Sequence, residues 1–433
     1  MTVKFFTLGC KVNQYETEVM REVLLQQGFL PAGEGPADVV VVNSCTVTAQ
    51  SDQKARQALR RLKRQNPGAV AVLTGCWPQA FPQQAAALSE ADIVLGNAGR
   101  AGLGGHIRQF LAQGQRIVDI APHQKGEAFE PMAVRGLSGH TRAFLKIQDG
   151  CERYCAYCII PFARGWVRSK PVGDIAAEVA DLAAAGYQEV VLTGINLPAY
   201  GQDLGLALCD AVEAACTIPG IARIRLGSLE PERLTPAVIA RMQAQPKLCP
   251  QFHLSLQSGC TATLRRMNRH YTAGDYREIA TRLREAFPNC AITTDIMVGF
   301  PGETPEEFAA SLAFARELAF AKVHVFAYSR RPGTVADRLP QQVSAAEKET
   351  RSRQMQAVAR ETRQAFFACQ LGRREAVLFE RPCAPGLYEG CTANYTPVRV
   401  PSPVDLSGRL LPVLLTGVEE EFCIGQLTEP AFE

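Results

Sequence analysis

The sequence predicts an α/β protein of three parts: an N-terminal parallel α/β domain, a central (β/α)6 partial barrel of the TIM type, and a small C-terminal β-barrel. Three observations carry that expectation. From the start of the chain to about residue 370, continuous apolar runs alternate with amphipathic stretches, the pattern of parallel strands covered by helices. One segment rich in Pro, Gly and charge, 121–141, interrupts the alternation and reads as a linker. Beyond Leu371 the pattern changes to short β-like runs separated by Gly and Pro. The expected boundaries are therefore 1–120, 142–370 and 371–433, with the linker at 121–141.

The first domain repeats one unit three times. Val3 to Leu8 ends at Gly9-Cys10 and leads into a helix with Val19, Met20, Val23 and Leu24 at helical spacing. Val39 to Val42 ends at Asn43-Ser44-Cys45 and leads into a helix over 49–64, and Val70 to Leu73 ends at Gly75-Cys76. Each cysteine falls just past a strand, where parallel sheets bind ligands.

In the central part, strands are expected at 143–148, 189–193, 223–227, 252–257, 292–298 and 322–328, with helices such as 175–185 and 305–318 between them. Six such units suggest an open barrel whose site lies at the strand C-terminal ends. A charged helix follows at 344–371, and the last part has β-like runs at 376–380, 396–400 and 410–415.

The composition, 47% hydrophobic and 21% charged over 433 residues, is that of a folded chain with room for separate cores. No apolar run approaches the roughly 20 residues that cross a bilayer, and the N-terminus lacks signal-peptide features. A cytoplasmic protein with no membrane partner is expected. The net charge of +3 selects no partner. Fifteen cysteines are informative, because a chain of this length needs no disulfide framework and reduced thiols serve as buried groups, nucleophiles or metal ligands. Six histidines form no spaced pair, and neither a phosphate-binding GxxxxGK[ST] loop nor a GxSxG elbow is present. The chemistry falls to the cysteines.

The sharpest signal is Asp149-Gly150-Cys151-Glu152-Arg153-Tyr154-Cys155-Ala156-Tyr157-Cys158, a CxxxCxxC spacing after the first barrel strand. Three thiolates can hold three irons of a four-iron cluster and leave the fourth open to a small molecule. Zinc, the competing reading along with plain burial, normally takes four ligands as two pairs, and no second pair exists here.

This motif, with Tyr157 before the third cysteine, resembles the radical S-adenosylmethionine superfamily. That resemblance implies a [4Fe–4S] cluster on Cys151, Cys155 and Cys158 that binds S-adenosylmethionine and cleaves it to a 5′-deoxyadenosyl radical. Leu8-Gly9-Cys10-Lys11-Val12-Asn13, Asn43-Ser44-Cys45-Thr46-Val47 and Thr74-Gly75-Cys76 are similar to the auxiliary cluster site of the methylthiotransferases, as are segments 145–151 and 159–165. The likeness spans essentially the whole chain, ending in a module like the TRAM barrel. It implies a second [4Fe–4S] cluster on Cys10, Cys45 and Cys76, whose open iron carries the sulfur.

LGCKVNQYETE and Gly390-Cys391-Thr392-Ala393-Asn394-Tyr395 look most like the branch acting on threonylcarbamoyladenosine in tRNA. The expected reaction is 2-methylthiolation of that nucleoside at position 37, with an electron donor such as flavodoxin or ferredoxin. The alternatives are isopentenyladenosine in tRNA, an aspartate of a ribosomal protein, or a non-catalytic metal-containing RNA-binding protein.

Polar groups at later strand ends, Asn196, Ser228, Glu230, Gln257 and Asp295, are the expected S-adenosylmethionine contacts together with Tyr157, Glu230 and Asn196 foremost. The segment 298–303 resembles a loop packing near the adenine, although its glycines also suit plain turns. For RNA, the helix after Cys45 carries Lys54, Arg56, Arg60, Arg61, Lys63 and Arg64, and Arg164, Arg168 and Lys170 flank the cysteine motif. Arg265, Arg266 and Arg269 follow the fourth strand. From Leu371 onward there are five Arg and no Lys against nine acidic residues, so bulk charge cannot anchor RNA there. Local contacts through Arg399, Arg381 and Tyr395 are expected instead. The domains are expected to hinge at the linker, and the other nine cysteines to pack in cores.

Overall fold

The computed structural model describes residues 1–134 and 141–428. The N-terminal sheet is parallel, with strands in the order Leu30–Pro31, Thr2–Thr7, Val39–Ser44, Val70–Gly75, Ile93–Leu95 and Ile117–Asp119. The three anticipated strands form its centre, and Val39 to Val42 have no exposed surface. The added strands are two or three residues long, too short to leave a periodic signal. Helix Ala49–Gln65 starts where Thr48 accepts a hydrogen bond from the Ser51 backbone N–H, with Asp52 in the first turn complementing the helix dipole.

The central part is a six-stranded open barrel: Ala143–Asp149, Glu189–Gly194, Arg223–Leu226, Gln251–Leu254, Ala291–Val298 and Lys322–Ala327. Neighbouring strands run parallel in two half-sheets. Helix Lys11–Gln26 of the first domain lies beside the first barrel strand, and its Tyr15 and Val19 belong to the barrel's own core. The first domain therefore shares a core with the barrel.

The segment expected to hinge is docked where it is described. The Tyr15 hydroxyl donates to the Met132 carbonyl (3.1 Å), the Val134 N–H donates to Glu178 Oε1 (2.9 Å), and Glu130 pairs with Arg100 (3.0 Å). These bonds dock residues 130–134 against both domains; residues 135–140 of the expected linker lie outside the described residues.

The last part is a closed barrel of five strands in the order Arg374–Ala384, Leu387–Cys391, Pro397–Pro401, Cys423–Leu427 and Leu410–Val418, around Val377, Phe379, Val398, Val400 and Val413. Residues 429–433 of the expected domain lie outside the described residues. Two strands went unanticipated because Gly390 and Gly425 read as breakers. Both are instead sites of close packing: a Cβ on Gly390 would lie 2.5 Å from the Leu378 carbonyl oxygen, and one on Gly425 2.3 Å from a Val413 methyl. This barrel docks on the N-terminal ends of the central strands. There Arg225 donates to the Ala393 carbonyl (2.9 Å) and Arg223 to that of Cys391 (3.1 Å). Among the described residues no helix is long and apolar enough to cross a membrane.

Candidate active site

Cys10, Cys45 and Cys76 come from the loops of three adjacent parallel strands, which carries them to one edge of the sheet. Cys10 is the N-cap of helix Lys11–Gln26, Cys45 follows Val39–Ser44, and Cys76 opens the short helix Cys76–Ala80. Asn13 and Asn43 lock the loops together: Asn13 Nδ2 donates to the Ser44 carbonyl (3.1 Å) and Asn43 Nδ2 to that of Asn13 (2.9 Å). Gly9 is needed, since a Cβ there would stand 3.0 Å from Cys45 Cβ. Burial pushes the Cys45 thiol up, helped by the charge of Cys10 and opposed by the Val47 backbone N–H; burial raises Cys76 to about 12.

Cys151, Cys155 and Cys158 follow the first barrel strand. Gly150, at φ 78°, presses against Trp166, whose carbonyl oxygen would lie 1.7 Å from an added Cβ, and this turn throws the cysteine loop over the barrel mouth. Burial, then the charge of Cys155, raises the Cys151 thiol to about 11 and pushes Cys158 up as well. Thiols that resist ionisation by burial and mutual repulsion are matched by a cationic iron centre, which would relieve both. Among the described residues no three such side chains close around a single ion. A four-iron cluster, whose cysteines ligate separate irons, does not require that closeness. Both triads fit the group.

A cavity of about 560 Å³ opens at Cys10 and runs past Gly194 and Ser228 to Asp295 and Phe326. A second, of about 180 Å³, lies beside Cys158 and Tyr157 and includes Gln257, Asp295, Met297 and Phe326. Asp295 and Phe326 border both, so the two triads open onto adjoining space.

The expected S-adenosylmethionine contacts divide. Tyr157, Ser228, Gln257 and Asp295 line these cavities. Glu230 lines neither, because its carboxylate is gripped by Arg269 (Nη1–Oε1 3.3 Å). Asn196 is held through its backbone N–H to Gln148 Oε1 (2.7 Å), and its own Oδ1 is buried without a partner. The 298–303 loop packs beneath the cysteine loop: Phe300 meets Tyr328 edge-on at 5.6 Å, and Glu303 bridges the Gly299 N–H (2.6 Å) and Arg351 (2.8 Å).

Several expected RNA contacts are corrected. Arg164 is fully buried, bonded to Glu16 (2.5 Å) and to the Cys76 sulfur (3.2 Å). Arg168 is buried between Glu127 (3.2 Å) and Asp149 (3.6 Å), and Lys170 is buried against Glu178. Arg399 pairs with Glu389 (2.9 Å) and covers the Phe422 ring at 3.8 Å. Tyr395, at φ 69°, is stacked between Arg142 (4.8 Å) and Arg225 (4.6 Å) at the base of the central barrel, so it offers no face to a base. Arg269 is buried on Cys155 and Glu230. The helix after Cys45 does expose Lys54, Arg60, Arg61 and Arg64. Of the remaining cysteines, Cys369 and Cys383 are exposed rather than core.

Sequence reasoning missed Lys11, His253, His324 and Phe326 in the large cavity. Burial, then Arg142 and Arg225, lowers Lys11 to about 8. Burial likewise lowers His324, and His253 Nε2 lies 3.3 Å from Asp295. The signal was present: a polar residue alternating with apolar ones inside a strand, as in Gln251-Phe252-His253-Leu254, marks an inward-facing polar position.

Comparison with known families matches residues 145–315 to the Radical SAM superfamily and residues 2–96 to the Uncharacterized protein family UPF0004. The superfamily brings with it a [4Fe–4S] cluster and S-adenosylmethionine. Among solved structures, the radical S-adenosylmethionine methyltransferase TsrM from Kitasatospora setae, with tryptophan and an S-adenosylmethionine analogue bound, shares the fold. Its TM-score is 0.57 at 16% identity, covering 78% of this chain and 75% of that one. Curated relatives reach across nearly the whole chain. The threonylcarbamoyladenosine tRNA methylthiotransferase MtaB of Bacillus subtilis is 36% identical, covering 95% of this chain and 93% of its own length. That of Thermotoga maritima is 35% identical over 91% and 90%. The tRNA-2-methylthio-N(6)-dimethylallyladenosine synthase of Pelotomaculum thermopropionicum is 32% identical over 98% and 97%. By this similarity, which runs through both cysteine-bearing domains, the chain belongs to the tRNA methylthiotransferase family of radical S-adenosylmethionine enzymes.

Proposed function

We propose that this enzyme converts N6-threonylcarbamoyladenosine at position 37 of tRNA into its 2-methylthio derivative, using two [4Fe–4S] clusters. One is held by Cys151, Cys155 and Cys158, the other by Cys10, Cys45 and Cys76. The observation that carries this reading is the pair of triads opening onto adjoining cavities that share Asp295 and Phe326. The relatives named for threonylcarbamoyladenosine support the nucleoside. When bound, the first cluster with S-adenosylmethionine supplies the radical that activates C2 of the adenine, and the second supplies the sulfur.

The chain's own residues bind, orient and exclude water. Tyr157, Gln257 and Met297 form a mostly apolar enclosure beside Cys158, which keeps a reactive group from solvent. Ser228, Gly194 and Asp295 provide the polar face of the larger cavity, where a base splayed from its loop would enter. Lys54, in the second turn of the helix after Cys45, offers a phosphate contact near that rim, whereas Arg60, Arg61 and Arg64 lie toward the opposite edge of the sheet, where Arg60 pairs with Glu90 (2.6 Å). An external one-electron donor of the flavodoxin or ferredoxin kind completes the cycle.

Mass spectrometry of tRNA nucleosides from cells with and without the gene tests this. Loss of the 2-methylthio mark from threonylcarbamoyladenosine is expected. Its persistence, with loss instead from the dimethylallyl nucleoside or from a ribosomal-protein aspartate, would overturn the assignment.

A further inference from the structure

The large cavity holds an ammonium that no carboxylate contacts among the described residues. Lys11 follows Cys10 directly and lines the cavity with His253, Asp295 and His324. The charged groups around it face other partners. Asp295 lies 3.3 Å from His253, Arg225 grips Glu189 at 2.7 Å, and Arg142 reaches Glu380 at 2.9 Å. Among the described residues Lys11 Nζ makes no hydrogen bond or ion pair; it sits 5.8 Å from the centre of the Phe144 ring. A half-buried cation without a partner is an unfavourable arrangement that an incoming anion relieves.

We infer that Lys11 determines specificity for an adenosine whose N6 substituent ends in a carboxylate, and that it pairs with that carboxylate. The inference rests on the substrate reading above. A threonylcarbamoyl group carries a carboxylate and a hydroxyl, whereas a dimethylallyl group is a hydrocarbon. With the acid, Lys11 gains a charge-assisted hydrogen bond. With the hydrocarbon, the ammonium stays desolvated and unpaired, so discrimination acts on both sides of the comparison. His253 and His324, with ring centres 5.8 Å apart, add ring nitrogens on the same wall. Asp295 works in the opposite sense. It borders the small cavity beside Cys158 and repels a carboxylate from that end, which directs the acid towards Lys11. The volume of about 560 Å³ suits a small polar group with its base.

The test presents anticodon stem-loops to the reconstituted holoenzyme. The target adenosine carries threonylcarbamoyl, its threoninol analogue (CH2OH in place of the carboxylate), or dimethylallyl. Affinity is read by fluorescence anisotropy without S-adenosylmethionine, and kcat/KM from product. The wild type is expected to favour the acid over the alcohol by about ten- to a hundredfold, the strength of one charge-assisted hydrogen bond. In Lys11→Met and Lys11→Gln the ratio should fall to near one, and in Lys11→Arg it should persist. Iron content equal to wild type shows that Cys10 still ligates in each variant. A wild type that treats acid and alcohol alike, or Lys11→Met and Lys11→Gln variants that retain the wild-type ratio, would overturn the role of Lys11. A wild type that converts only the dimethylallyl stem-loop overturns the substrate reading itself, and the product formed tells the two failures apart.

Discussion

The Arg164 guanidinium donates a hydrogen bond from Nε to the sulfur of Cys76 (3.2 Å), and Arg269 Nη1 does the same to Cys155 (3.2 Å). Each arginine is fixed by a carboxylate, Glu16 for the first and Glu230 for the second. The two triads thus carry the same device. An N–H donor on a ligand sulfur favours the more negative, reduced cluster and raises its potential. Arg164→Lys, which keeps the charge but not the fork, should lower the midpoint of the cluster proposed on Cys10, Cys45 and Cys76 by on the order of 40 mV, the one-electron equivalent of a hydrogen bond of about 1 kcal/mol. Arg269→Lys should shift the other cluster alone. Redox titration followed by EPR would show this; midpoints unmoved in both variants would refute it.

Glu16 is a buried hub behind Cys76, reached by Lys146 (2.8 Å), Arg100 (3.1 Å) and Arg164 (2.5 Å). Burial pushes its carboxyl up, but the three cations prevail and hold it at about 2. A folded value depressed below the unfolded one means stability that is present above about pH 4.5 and lost as pH falls towards 2. The shift corresponds to about 3 kcal/mol. In anaerobic urea titrations, wild type should lose stability below about pH 5 more steeply than Glu16→Gln. At pH 7 the variant should be the less stable, by about 3 kcal/mol or more, because three buried cations lose their anion. Parallel pH profiles would contradict this assignment.

Tyr395 joins the C-terminal barrel to the central one by stacking between Arg142 and Arg225. Tyr395→Ala should therefore cost about 2–3 kcal/mol and expose the junction to proteases. Affinity for tRNA, measured on the undigested protein, should hardly change. Lys54→Gln should do the reverse, leaving stability intact while the lost phosphate contact reduces the salt slope of binding by about one. An equal loss of tRNA affinity in both variants would place RNA at the barrel junction after all.

Removing ligands separates the two triads. Cys45→Ser should reduce iron from about eight to about four per chain and leave S-adenosylmethionine cleavage in place, whereas Cys158→Ser should keep about four irons and abolish cleavage. Iron analysis with a 5′-deoxyadenosine assay reads both. Cys45→Ser protein that still holds the full iron complement would exclude Cys45 as a ligand.

The sequence by itself determined the strand–loop–helix alternation and the position of all six cysteines past strand ends. Apolar runs such as Val39 to Val42 and the CxxxCxxC spacing are local patterns that need no knowledge of distant residues. It also placed a small β-barrel at the C-terminal end. Tertiary structure decided what the charges do. Arg164, Arg168 and Lys170 read as a solvent-facing RNA patch, yet their partners Glu16, Asp149, Glu127 and Glu178 arrive from four separate segments and bury them as ion pairs. Tyr395 became an internal wedge because Arg142 and Arg225 meet only when the barrel closes. Lys11 shows the same principle from the other side. Its neighbour Cys10 was legible at once, but only the folded barrel brings His253, Asp295 and His324 around its ammonium, because a side chain's electrostatic environment is set by groups that sequence distance does not reveal.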